Sequence, residues 1–200
     1  VDYSPTGGAP WTPVDQPSYA GDRLNDTLAV WDTTAVPDDD YTIRVLAENA
    51  CGDAKQSFRT VRVDNTPPIA EIDTPVNCDW FNPGGVVPIA GTAFDDNISS
   101  WQLHVTGGPF DTWQYIDDDS DNVVDAMFTG WDVSGLPPCA YTIRLRVSDR
   151  AIINCSGDRH VTDRYATINI GCRADLAEPY NVLDLADINA FVQAFQAGCP

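Results

Sequence analysis

The chain has 200 residues, 43% of them hydrophobic, a formal net charge of −19 and a pI near 4.1. That hydrophobic share supports packed cores and excludes global disorder. The charge excludes nucleic acid and anionic membrane surfaces as partners, because both need Lys and Arg to displace counterions, and Lys55 is the sole lysine.

The first landmarks are Thr6-Gly7-Gly8, Trp31-Asp32, Pro37 and Tyr41-Thr42-Ile43-Arg44. Each recurs one hundred residues later, as Thr106-Gly107-Gly108, Trp131-Asp132, Pro137 and Tyr141-Thr142-Ile143-Arg144. Recurrence in one register over this distance marks two copies of a module of about 100 residues. The first copy is residues 1–65. In it Tyr41, Ile43, Val45 and Ala47 alternate with polar residues, the period of a strand with one buried face. By the repeat offset Val1 aligns with Trp101, so this copy starts near its third strand and lacks the first two. The expectation is an open sheet edge, filled by an upstream part of the same protein, by a cleaved chain or by a neighbouring copy through donor-strand complementation.

Val63-Asp64-Asn65-Thr66-Pro67-Pro68 closes the first copy. Two prolines end any ladder and stiffen the joint. The second copy is residues 66–171. Strands are predicted at Val86–Phe94, 101–105, 124–131, 141–147 and 165–170, with Pro83-Gly84-Gly85 and Gly107-Gly108-Pro109 as turns between them. Tyr141, Ile143, Leu145 and Val147 face inward, and Trp101 occupies a core position. His104 falls on the polar face of its strand and His160 in a long loop. Asp38-Asp39-Asp40, Asp95-Asp96-Asn97 and Asp117-Asp118-Asp119-Ser120-Asp121 read as solvated turns, with a bound cation as the alternative.

From Cys172 the composition changes. Acidic residues fill a loop, and Ile188, Phe191, Val192 and Phe195 then fall at i, i+3, i+4 and i+7, one apolar helix stripe. The six cysteines form no CxxC pair, which points to a disulfide-forming compartment. Cys172 and Cys199 bracket this last segment and are expected to pair. Cys78 and Cys139 fall in loops at one end of the second module, and their pairing is the second expectation.

The Val-Asp-Asn-Thr-Pro-Pro joint is similar to linkers between tandem immunoglobulin-like repeats of bacterial surface proteins. A tyrosine that opens a strand just after a proline-containing corner resembles the tyrosine corner of the same sandwiches. The C-terminal segment, residues 172–200, resembles one half of a dockerin, a relative of the EF-hand. The whole string of modules looks like secreted proteins of planctomycete-type bacteria. The resemblance implies a mainly β chain: two tandem immunoglobulin-like or fibronectin-III-like sandwiches, the first incomplete, then a calcium-loop and helix module. It implies Ca2+ held by Asp175, Asp184 and Asp187, with Glu178 and Asn181 completing the shell. The alternative is a loop whose Asp184 or Asp187 caps the helix.

No GxSxG, no HExxH and no phosphate-cradling glycine loop occurs, so a non-enzymatic role is expected. No apolar run reaches membrane-spanning length. No signal peptide opens the chain, so a mature or truncated product of a secreted precursor is expected. The leading expectation is a structural or adhesive subunit of a cell-surface assembly or filament. A rival is the C-terminal spacer and attachment region of a larger secreted enzyme. A third is a carbohydrate-binding module, which requires aromatic rings such as Trp11 or Trp113 exposed on a flat face.

Overall fold

The structure is a computed structural model, and it describes residues 1–15, 21, 23–154, 156–171 and 185–196. It is mainly β, with antiparallel sheets, and divides into two compact units, Val1–Thr66 and Pro67–Pro200. Among the described residues no helix is long and apolar enough to cross a membrane.

The second unit is a β-sandwich. Its strands are β5 (Ile69–Thr74), β6 (Trp80–Phe81), β7 (Val86–Phe94), β8 (Ile98–Gly107), β9 (Phe110–Asp119), β10 (Val123–Asp132), β11 (Cys139–Ile152) and β12 (Arg159–Ile170), and a helix α1 (Leu185–Gln196) follows. One sheet has the order β10-β7-β5, the other β6-β12-β11-β8-β9. Val87, Ile89 and Ala93 from the first sheet share one core with Leu103, Val105, Ile143, Leu145 and Val147 from the second. These are alternate residues of their strands, so a single face of each sheet supplies the core. Trp101 is buried and meets Phe128 edge-on at 4.9 Å between ring centroids. Gly91 is required by packing: a Cβ there would lie 2.0 Å from the Glu71 carbonyl oxygen on β5.

The first unit holds β1 (Asp2–Ser4), β2 (Thr12–Pro13), β3 (Asp39–Glu48) and β4 (Ala54–Val63) in a single sheet of order β2-β1-β3-β4. β1 pairs with β3 as β8 pairs with β11, and β4 pairs with β3 as β12 pairs with β11. Among the described residues, no counterpart of β5, β7 or β10 exists in this unit. Residues 23–32 align with β10 but form no strand. The reason is pairing: β10 bonds only to β7, and without such a partner residues 23–32 have no ladder to join.

The repeated residues build the same corner twice. The Asp32 carboxylate accepts from the Thr34 N–H (3.1 Å) and hydroxyl (2.6 Å). Asp132 accepts from the Ser134 N–H at 2.8 Å. Each caps a short turn that leads to proline. The Tyr41 hydroxyl then donates to the Pro37 carbonyl, and that of Tyr141 to the Pro137 carbonyl, both at 2.9 Å. Trp31 and Trp131 meet their tyrosines edge-on, with centroids 5.4 and 5.7 Å apart.

The repeated Thr-Gly-Gly does not act alike in the two units. Gly108, at φ +56°, leaves room for the Tyr141 ring, whereas nothing lies within 4 Å of a Cβ on Gly8. The registers differ by two residues: Thr106 faces Thr142, but it is Ser4 that faces Thr42.

Candidate functional site

Of the residues expected to hold calcium, Asp175, Glu178, Asn181 and Asp184 lie outside the described residues, as do Cys172 and Cys199. Asp187 is described: it stands in the first turn of α1 and is 4% exposed. On the same helix Ile188, Phe191 and Val192 are exposed.

The expected Cys78–Cys139 bridge does not form. Cys78 is an exposed free thiol. Its backbone N–H donates to the Thr167 carbonyl of β12 at 2.8 Å, while Cys139 opens β11 opposite Ile170. Strand β12 stands between them, and two strand spacings of about 9–10 Å exceed the reach of a disulfide.

Two runs expected as solvated turns are placed otherwise. Asp117, Asp118 and Asp119 end strand β9, and the Tyr115 hydroxyl donates to the Asp118 carboxylate. Asp38 is a clamp: its carboxylate accepts from the Asn65 N–H at 2.7 Å and from the Thr66 hydroxyl. The Thr66 hydroxyl bond, with the Asn65 contact, holds the Asp38 carboxyl below its ordinary range. The Asn65 side-chain amide donates to the carbonyls of Thr33 and Val36 at 3.0 and 3.1 Å, tying the end of the unit to its corner. In sequence this clamp leaves only an Asp-x-x-Tyr corner and a distant Asn-Thr, too little to read as one device.

The second unit holds a buried acid pair: Asp95, expected in a solvated turn with a bound cation as the alternative, and Asp149, which the sequence reading did not single out. Asp95 is 6% exposed and Asp149 fully buried, and carboxylate oxygens of the two lie within 4.8 Å. They follow β7 and end the regular part of β11, so the topology brings them to one end of the sandwich although 54 positions separate them (149 − 95). Asp149 accepts from the Ala151 N–H at 3.0 Å and meets His160 Nδ1 at 2.8 Å. Asp95 accepts from the Asn97 N–H at 2.6 Å, and the Asn122 side chain accepts from the Asp95 N–H while donating to its carbonyl. His160 was expected in a loop; it lies on β12, paired to Asp149. Two carboxylates withdrawn from water need countercharge, and His160 supplies it only when protonated. The donor set also fits a hard cation, since calcium–oxygen distances of about 2.3–2.6 Å let one ion span two such oxygens.

The largest feature of the first unit is the inner face of its sheet. Tyr141, Ile143, Leu145 and Val147 on β11 are all 0% exposed. Their counterparts on β3 run from Tyr41, buried, through Ile43 and Val45, half-buried, to Ala47, exposed. Tyr3 stacks on Trp31 at 4.5 Å and covers the Tyr41 end, and among the described residues no second sheet covers the rest. The outer edge β4 is guarded by Lys55, Arg59 and Arg62, charges that oppose edge-to-edge pairing.

Compared with known protein families and with curated proteins, the chain matches none.

Proposed function

We propose that the chain is a non-enzymatic structural or adhesive protein of the cell exterior, built of immunoglobulin-like sandwich modules and working through assembly. The observation that carries this reading is the uncovered inner face of the first unit, set beside a second unit whose equivalent face is fully buried. An apolar sheet face stays out of water only by meeting another layer. The incoming layer is two strands that play the parts of β5 and β7, supplied by another copy of the chain or by a further stretch of the same protein. Residues 23–32 then pair with the second of these, as β10 pairs with β7. This is a sheet laid over a sheet rather than an extension of the charged edge β4.

The repeated tyrosine corner supports the immunoglobulin-like assignment. Calcium belongs to the proposal on chemistry alone: the acidic run from Asp175 to Asp187 and the buried pair Asp95 and Asp149 offer oxygen ligands only. The test is cryo-electron microscopy of the protein isolated from its source. Density of two strands over Ile43 and Val45 is expected. A first unit whose face remains bare in the native material overturns the reading.

A further inference from the structure

The outer face of the five-stranded sheet carries a cluster of rings around one arginine. The Arg144 guanidinium lies 4.4 Å from the centroid of the Trp113 ring. The Trp113 and Tyr165 rings are 6.1 Å apart, and Tyr115 meets His104 edge-on at 6.2 Å. His104, Arg144 and Tyr165 are directly opposed across β8, β11 and β12. They sit on the face away from Leu103 and Leu145. Trp113, Tyr115 and Tyr165 are 37%, 62% and 51% exposed, so rings on this face remain in contact with water.

The first unit repeats the arrangement with one change. Arg44 stacks on Trp11 at 4.3 Å, Trp11 lies 6.0 Å from Phe58, and Phe58 is directly opposed to Arg44. The residue opposed to Arg44 on β1 is Asp2, and the two form an ion pair. At the matching position opposite Arg144 stands His104. Arg144 forms no ion pair or hydrogen bond among the described residues, and its Nε and His104 Nδ1 are buried without a partner. The neighbouring Arg146 is neutralised by Asp163 through two bonds of 2.8 Å. Burial, together with Arg144 and Arg146, holds His104 below its ordinary range. Arg144 thus sets an arginine beside exposed aromatic rings with no carboxylate bonded to it among the described residues.

We infer that the Trp113, Arg144 and Tyr165 face is a binding site for a carboxylated sugar of an acidic polysaccharide, its pyranose ring stacked on the aromatic rings and its carboxylate on Arg144. Flat rings offer a surface for the C–H groups of a pyranose, and a planar guanidinium takes a carboxylate through paired hydrogen bonds. Long-range repulsion from the acidic surface is screened beyond about 8 Å at physiological ionic strength, which leaves the local contact to decide. The first unit lacks the vacancy because Asp2 already occupies its arginine. This inference stands apart from the assembly proposal: it concerns the other face of a different sheet.

The test is titration of the whole chain with oligogalacturonate at 150 mM salt, followed by NMR or calorimetry. Neutral cello-oligosaccharide and oligo-aspartate serve as comparison probes. Saturable binding of oligogalacturonate alone is expected, weakened at least tenfold by Arg144→Gln and by Tyr165→Ala and unchanged by Arg44→Gln. Both exposed-face substitutions are checked for an unaltered melting temperature. No binding by the unmodified chain, or equal binding by Arg144→Gln and Tyr165→Ala, overturns the inference. Equal binding of oligo-aspartate replaces the sugar with an acidic peptide and overturns it too.

Discussion

Each corner is closed by a tyrosine hydroxyl. The Tyr141 ring is fully buried, its hydroxyl bonds the Pro137 carbonyl, and both Trp131 and Phe110 rest against it edge-on. Tyr141→Phe keeps the ring and removes the hydrogen bond, so a loss of about 1–2 kcal/mol in urea unfolding is expected. Burial also pushes the Tyr141 phenol above its ordinary range. The Arg146–Asp163 pair gives a pH signature. The side-chain bond from Arg146 holds the Asp163 carboxyl below its ordinary value of 3.8. A depressed folded-state value means that this contribution is complete above the unfolded value and is lost as pH falls through the folded one. Melting temperature measured down through pH 4 to pH 2 is expected to drop more steeply in the natural chain than in Asp163→Asn. Residues of the corner were legible in the sequence because their identities repeat. The pairing of Asp149 with His160 was not, since His160 reads as part of a loop, whereas it opens β12 in a hairpin with β11.

Strand β11 and strand β3 carry nearly the same residues into different surroundings. Leu145 is enclosed by both sheets, so Leu145→Ala is expected to cost about 2–5 kcal/mol. Val45 is half-buried on the uncovered face, and Val45→Ala is expected to cost about 1 kcal/mol or less in the 200-residue chain. Denaturant unfolding of the two variants checks the contrast; equal costs would mean that the first unit is already covered. Alternation made β3, β7 and β11 readable. β9 was missed because its acidic end, Asp117 to Asp119, has the composition of a loop while its pairing with β8 makes it a strand. The hairpin turns also repeat, hidden at a different offset. Asn49 Oδ1 accepts from the N–H groups of Cys51 and Asp53, and Asn154 Oδ1 from those of Ser156 and Asp158. The shift from 100 to 105 residues between copies (154 − 49 = 105) kept this Asn-x-x-Gly-Asp turn out of the aligned repeat.

At the scale of the molecule, the repeat leads to the expectation of a complete and an incomplete module; among the described residues two sheets form the second unit and one the first. What composition could not convey is which face the missing layer leaves open. That depends on the pairing of β10 with β7 alone: among the described residues of the first unit β7 has no counterpart, and residues 23–32 form no strand. Hydrogen exchange of the first unit measures the consequence most directly. Backbone amides of residues 23–32 and of Ile43 and Val45 are followed in the 200-residue chain and in the protein isolated from its source. The expected result is fast exchange of residues 23–32 in the chain alone and strong protection in the native material, where a second layer gives them a ladder. Equal, fast exchange in both would contradict assembly through the inner face of this sheet.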